Sequence, residues 1–85
     1  MSFINIGFGN LVNADRIISV IKADSAPSKR LVQTARENGE LVDATQGRKT
    51  KSIIVTDSSR IILSGLTTET LLARVDSYPE VEESE

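Results

Sequence analysis

The stretch KSIIVTDSSRIILSG, Lys51 to Gly65, limits what this chain folds into more than any other segment. Two β-branched runs, Lys51 to Thr56 and Arg60 to Ser64, flank Asp57, Ser58 and Ser59, so a β-hairpin is predicted. FINIG, Phe3 to Gly7, alternates as a strand does, with Ile4 and Ile6 on one side and Phe3, Asn5 and Gly7 on the other. GFGN then ends it in a tight turn, because Gly7, Gly9 and Asn10 tolerate positive φ. RIISVIK, Arg16 to Lys22, places Ile18 and Val20 on one face and Ile17, Ser19 and Ile21 on the other. Both faces are mostly apolar, which predicts a central strand. LVDAT, Leu41 to Thr45, is a further short extended piece.

Two helices complete the pattern. ADSAPSKRLVQTARENG has both ends marked: Asp24 or Ser25 caps the first amides, Pro27 suits the first turn, and Gly39 after Asn38 is a left-handed stop. Leu31, Val32 and Ala35 form its buried stripe, and Lys29, Gln33 and Arg36, with Arg30 nearby, make one flank cationic. TTETLLARVDS predicts a shorter helix from about Thr67, with Leu71, Leu72 and Val75 inward, ending before Pro79. The expected fold is α+β: an antiparallel-rich sheet of about five short strands with two helices. One domain is assigned to residues 1–78, and residues 79–85 to an acidic, disordered tail.

At 85 residues, with Phe3, Phe8 and Tyr78 as its only aromatics, the chain has a thin core. Chains of this size without staples often associate with copies of themselves, and the apolar surplus on RIISVIK and IIV points the same way. Without Cys or His, disulfides, thiolate nucleophiles, imidazole bases and the usual zinc sites are all missing. An enzyme is therefore not expected, nor a cofactor or a small-molecule substrate. No stretch approaches the length of a membrane span and no leader is evident, so a cytoplasmic protein is expected.

The formal charge of −2 conceals two regions. Glu80, Glu82, Glu83 and Glu85 lie in the last six residues, and without them eight acids face ten bases. Seven of those bases fall between Lys22 and Lys51. Arg48, Lys49 and Lys51 are the densest group, directly before a strand. Cations beside a strand can simply discourage edge-to-edge pairing. Three features favour an anion site instead: Gly47 lets the backbone approach closely, Lys49 and Lys51 share a face, and no acid lies between Asp43 and Asp57. A ridge of this kind suits the phosphates of duplex DNA, and Arg48 has the fork to reach a base edge. Single-stranded RNA fits less well, because the strands lack aromatic platforms. Repetition of the ridge in an oligomer would raise avidity.

GFGN begins like a dinucleotide fingerprint but lacks the third glycine and the distal acid, so a simple turn is preferred. Asp24, Asp43 and Asp57 sit at predicted element ends, where carboxylates cap and turn, rather than clustering as magnesium ligands do. The rival to DNA binding is an oligomeric scaffold whose ridge pairs with an acidic partner.

Over nearly the whole chain, FINIGFGNLVNADRII, DSAPSKRLVQTARENGELVDATQGRKT and IIVTDSSRIILS resemble the bacterial family of extracellular matrix regulatory protein A. The resemblance implies a DNA-binding transcriptional regulator that activates biofilm matrix genes and affects osmoprotection. It also implies a fold partly similar to LytTR-type DNA-binding domains and a homo-oligomeric ring, an octamer, around which DNA wraps. DNA-contacting residues carry over to Arg16, Arg48 and Lys49, and Lys51 extends the ridge. Lysine at position 49 keeps the charge without arginine's planar fork, so the contact implied there is to backbone.

Overall fold

The computed structural model describes the backbone of residues 2–83 and the side chains of residues 2–75. Six strands and two helices run in the order β1 (Phe3–Asn5), β2 (Leu11–Asn13), β3 (Ile17–Lys22), α1 (Ala26–Glu37), β4 (Leu41–Asp43), β5 (Ser52–Thr56), β6 (Ile61–Ser64) and α2 (Thr68–Glu83), with a 3₁₀ turn at Ala14–Arg16. The expected α+β class holds, but the strands form two sheets. β1 and β2 make an antiparallel hairpin, and the larger sheet has the order β3-β5-β6-β4. In it, β3-β5 and β5-β6 are antiparallel, whereas β4 runs parallel to β6.

The predicted hairpin is the centre of this sheet. Ile53 and Ile54 are both fully buried, one on each face, as period two requires. Ile53 joins Ile61, Leu63 and Ala35 under α1, with Leu31 and Val32 at the margin. Ile54 packs on the opposite face with Ile4, Ile6, Ala44 and Leu71, beneath the β1-β2 hairpin and α2. The sheet is thus the middle of three layers.

α1 begins and ends where its residues dictate. The Ser25 hydroxyl accepts from the Ser28 amide, Pro27 lies in the first turn, and Asn38 is the C-cap ahead of Gly39 at φ 72°. At the other helix, the Thr67 hydroxyl accepts from the Thr70 amide at 3.2 Å. Leu71 is buried and Val75 half-buried, but Leu72 is 59% exposed, so the inward assignment of Leu72 is corrected. The helical backbone also continues through Pro79 to Glu83 instead of stopping before the proline. Proline's φ is itself helical, so the chain direction is kept there although one backbone hydrogen bond is given up. Residues 84–85 and the side chains of the acidic tail lie outside the described residues.

β3 departs most from expectation. It is an edge strand, paired only with β5, and its register jumps from Ile17↔Thr56 to Ser19↔Val55. Ile18 is the inserted residue of a β-bulge and is 65% exposed. The bulge resets the alternation, so Ile17 and Val20 pack against the same core cluster and Ile21 against the other. A strand apolar on both faces read as central; both faces are indeed packed against by this chain, but the strand lies at the edge of the sheet and its bulged Ile18 is left outside. β2 escaped the sequence reading because it has three residues, preceded by Asn10 and ending in Asn13, which leaves Leu11 and Val12 as its apolar part.

At the end of the sheet near α2, Ser52 and Ser64 stand opposite each other, both at 0% exposure. Ser64 donates to the Ile6 carbonyl at 2.8 Å and accepts from the Leu66 amide, while Ser52 donates to the Leu66 carbonyl at 2.6 Å. These bonds tie the small hairpin and the start of α2 to the main sheet. Ser64→Ala leaves the Ile6 carbonyl and Leu66 amide unpaired, at an expected cost of about 1–3 kcal/mol, measurable as a lower urea midpoint at unchanged m-value.

Candidate nucleic-acid interface

The segment from Ala44 to Lys51 leaves β4, turns, and enters β5. Asp43 fixes its start, accepting from the Thr45 hydroxyl at 2.6 Å and the Thr45 amide at 2.9 Å. Arg48 N–H then donates to the Thr45 carbonyl at 3.0 Å, closing a β-turn. Its central residues, Gln46 at φ 56° and Gly47 at φ 80°, both lie in the left-handed region, as a type I′ turn requires. Nothing lies within 4 Å of where a Gly47 side chain would begin, so glycine serves the turn's conformation, not its packing. The far end is equally fixed: Lys51 N–H donates to the Ser64 carbonyl, and the Lys51 carbonyl accepts from Ala23.

The turn presents Arg48, Lys49 and Lys51 together, all exposed. Among the described residues, no carboxylate lies within ion-pair distance of any of the three. They line one hollow with Gly7, Phe8, Gly65 and Leu66, and the Arg48 guanidinium lies 5.8 Å from the centroid of the Phe8 ring. Lys49 and Lys51 line a second hollow with Lys22, Asp24 and the first residues of α2. Lys49 lines a third with Lys29 and Arg36 of α1, so the cationic flank of that helix reaches the same loop. Lys49 is the one cation shared by all three hollows.

Arg16 is elsewhere. It ends the 3₁₀ turn before β3, and its guanidinium lies 3.2 Å from the Asp57 carboxylate at the β5-β6 turn. The register places Ile17 opposite Thr56 and Lys22 opposite Ser52, so Arg16 and Lys51 are separated by the length of β3, about 17 Å. Within one chain, the structure groups Arg48, Lys49 and Lys51 and leaves Arg16 apart. Sequence reasoning passed over Phe8 and Lys22, which come from distant elements. The glycines flanking an aromatic were the available signal for Phe8.

Three acids border the site: Asp24, which lines a hollow with Lys49 and Lys51, Asp43 and Glu69. The Thr45 hydroxyl and then its amide hold the Asp43 carboxyl below the ordinary carboxylate range, with a smaller contribution from Arg36. Glu69 is also lowered, by its own backbone amide first, then by the Thr68 hydroxyl and by Lys22. Asp57 pairs with Arg16, and among the described residues no three acids come together as metal ligands would. No helix among the described residues is long and apolar enough to cross a membrane.

Residues 3–75 match the sequence profile of the family described as Extracellular matrix regulatory protein A-like. The chain belongs to this RemA-like family. A protein of Geobacillus thermodenitrificans named "Putative regulatory protein" is 56% identical over 75 residues, covering 88% of this chain and 86% of its own. A similarly named protein of Thermodesulfovibrio yellowstonii is 52% identical over 82 residues, covering 96% of both chains. Another, from Alkaliphilus oremlandii, is 51% identical over 85 residues, the whole of this chain and 91% of its own. The RemA-like match takes in the β4-β5 turn and all four candidate cations, Arg16, Arg48, Lys49 and Lys51.

Because Asp43 is lowered on folding, its contribution is fully present above its unfolded pKa of about 3.9 and is lost as pH falls through the folded value. Asp43→Ala is therefore expected to lower stability by about 1 kcal/mol at neutral pH, a modest value because the carboxylate is exposed. Chemical denaturation of both proteins at neutral pH and well below pH ~3.9 checks this: the difference should shrink toward zero in acid.

Proposed function

We propose that this protein is a DNA-binding transcriptional regulator. It binds or wraps duplex DNA on a homo-oligomeric ring, an octamer, in the cytoplasm and activates biofilm matrix and osmoprotection genes. The observation that carries the reading is the turn at Thr45–Arg48, which presents Arg48, Lys49 and Lys51 as a group without acidic partners among the described residues. Lys49 and Lys51 suit phosphates as point charges, and Arg48 offers a planar fork. The names of the relatives agree with a regulatory role.

Assembly draws support from the surfaces left open. The bulged edge of β3 exposes Ile18 beside Leu72, and the unlike edge at β4 exposes Val42. Two unlike edges on one molecule favour head-to-tail association, which closes into a ring when the rotation permits. A neighbouring copy would also bring an Arg16 toward a ridge that its own chain keeps it from.

Duplex DNA titrated at about 50 and about 200 mM salt should bind tightly and then lose affinity steeply. Arg48→Ala and Lys49→Ala should each remove most of the binding, and each should flatten the salt slope by about one for every copy that contacts the DNA. Undetectable binding at low salt would sink the reading and leave a scaffold with an acidic protein partner. A solution mass equal to the 9.2 kDa monomer would remove the ring. Deleting residues 80–85 takes away four glutamates and should tighten DNA binding at low salt, as read from the same titration.

A further inference from the structure

Phe8 combines two unfavourable properties. Its ring is 52% exposed, and its backbone is left-handed at φ 55°, between Gly7 at 117° and Gly9 at 76°. Left-handed backbone is strained for a bulky side chain, and glycine or asparagine at this position would avoid both the strain and the exposed apolar surface. The turn itself does not need the ring. It is held by Ile6 N–H to the Asn10 carbonyl at 2.9 Å, Asn10 N–H to the Gly7 carbonyl at 3.0 Å, and Gly7 N–H to the Asn5 side-chain oxygen at 2.7 Å. The ring's described partner is Arg48, whose guanidinium lies over it at 5.8 Å from the centroid.

We propose that Phe8 is a positioning residue: its ring, fixed by the rigid Gly7–Asn10 turn, holds the Arg48 guanidinium in one orientation beside Lys49 and Lys51. Such cation–π stacking leaves the edge N–H donors of the guanidinium free to meet an anion or a base edge. It also joins two parts of the chain forty residues apart, since Phe8 arrives on the small hairpin and Arg48 on the β4-β5 turn. Arg48 is thereby ordered before any partner arrives, while Lys49 and Lys51 act as flexible point charges. The inference rests on the DNA reading only for the use made of the ordered arginine.

The test uses the full chain with Phe8→Leu, which removes the π face but keeps an apolar side chain at the same backbone position, and with Phe8→Tyr, which restores the face. In the free protein, ¹⁵N relaxation and the chemical shift of the Arg48 Nε–H should report an ordered, ring-shifted group in wild type and Phe8→Tyr. Phe8→Leu should make it mobile and unshifted; an equally ordered Arg48 in Phe8→Leu overturns the proposal. In DNA titrations, Phe8→Leu should weaken binding about two- to five-fold per site, with the salt slope unchanged because no phosphate contact is removed. In an Arg48→Ala background, Phe8→Leu should have no further effect. A loss of the same size there would mean that Phe8 acts independently of Arg48, and that also overturns it. Wild-type protein that fails to bind DNA would instead defeat the reading of the ridge, and the relaxation experiment would still decide whether Phe8 holds Arg48.

Discussion

Buried backbone groups must be paired, and at one end of this sheet two serines pair them. Ser52 and Ser64 face each other across β5 and β6 and satisfy main-chain groups of Ile6 and Leu66 that no strand or helix reaches. The group of Arg48, Lys49 and Lys51 lies around that knot. The Gly7–Asn10 turn follows Ile6, the hollow beneath Arg48 is floored by Gly65 and Leu66, and Lys51 is bonded to the Ser64 carbonyl. A small polar pair thus fixes where three chain segments meet, in a position where apolar residues would leave carbonyls and amides unpaired.

The main sheet follows a different constraint. Eighty-five residues hold too little apolar volume to cover both faces of four strands and both edges. α1, α2 and the small hairpin cover the faces, while Ile18, Leu72 and Val42 remain outside. The bulge at Ile18 is suited to this, because it breaks the ladder on an otherwise open edge and hinders indiscriminate strand pairing. A selective partner surface and a deterrent to aggregation are compatible at the same edge.

Local chemistry was the most legible part of the sequence. Ser25, Pro27, Asn38 and Gly39 delimit α1 through bonds formed within a few residues, and Asp57 to Ser59 mark the β5-β6 turn the same way. The Arg48, Lys49 and Lys51 group was legible because it is nearly contiguous. What was not legible depends on distant pairing: β4 lying parallel to β6, β3 at the edge, and Arg16 bonded to Asp57 forty-one residues away. A doubly apolar strand signals that both faces are covered, as they are at Ile17, Val20 and Ile21, but it does not say whether the strand lies at the centre of the sheet or at its edge. Phe8 and Lys22 reach the site from other elements, so spacing along the chain could not reveal them.

The backbone bonds of Lys51 have an entropic consequence. Its amide and carbonyl are already engaged with the neighbouring strands, and a closed turn fixes the backbone at Arg48. The main-chain freedom of the cationic segment is therefore surrendered when the protein folds, not when it meets a partner. What is left to order on binding is side-chain rotation, roughly 0.5–1.5 kcal/mol for each long side chain immobilised. In an assembly this saving recurs in every copy, so a ridge of only three cations can be used many times over without each encounter first having to shape its own loop.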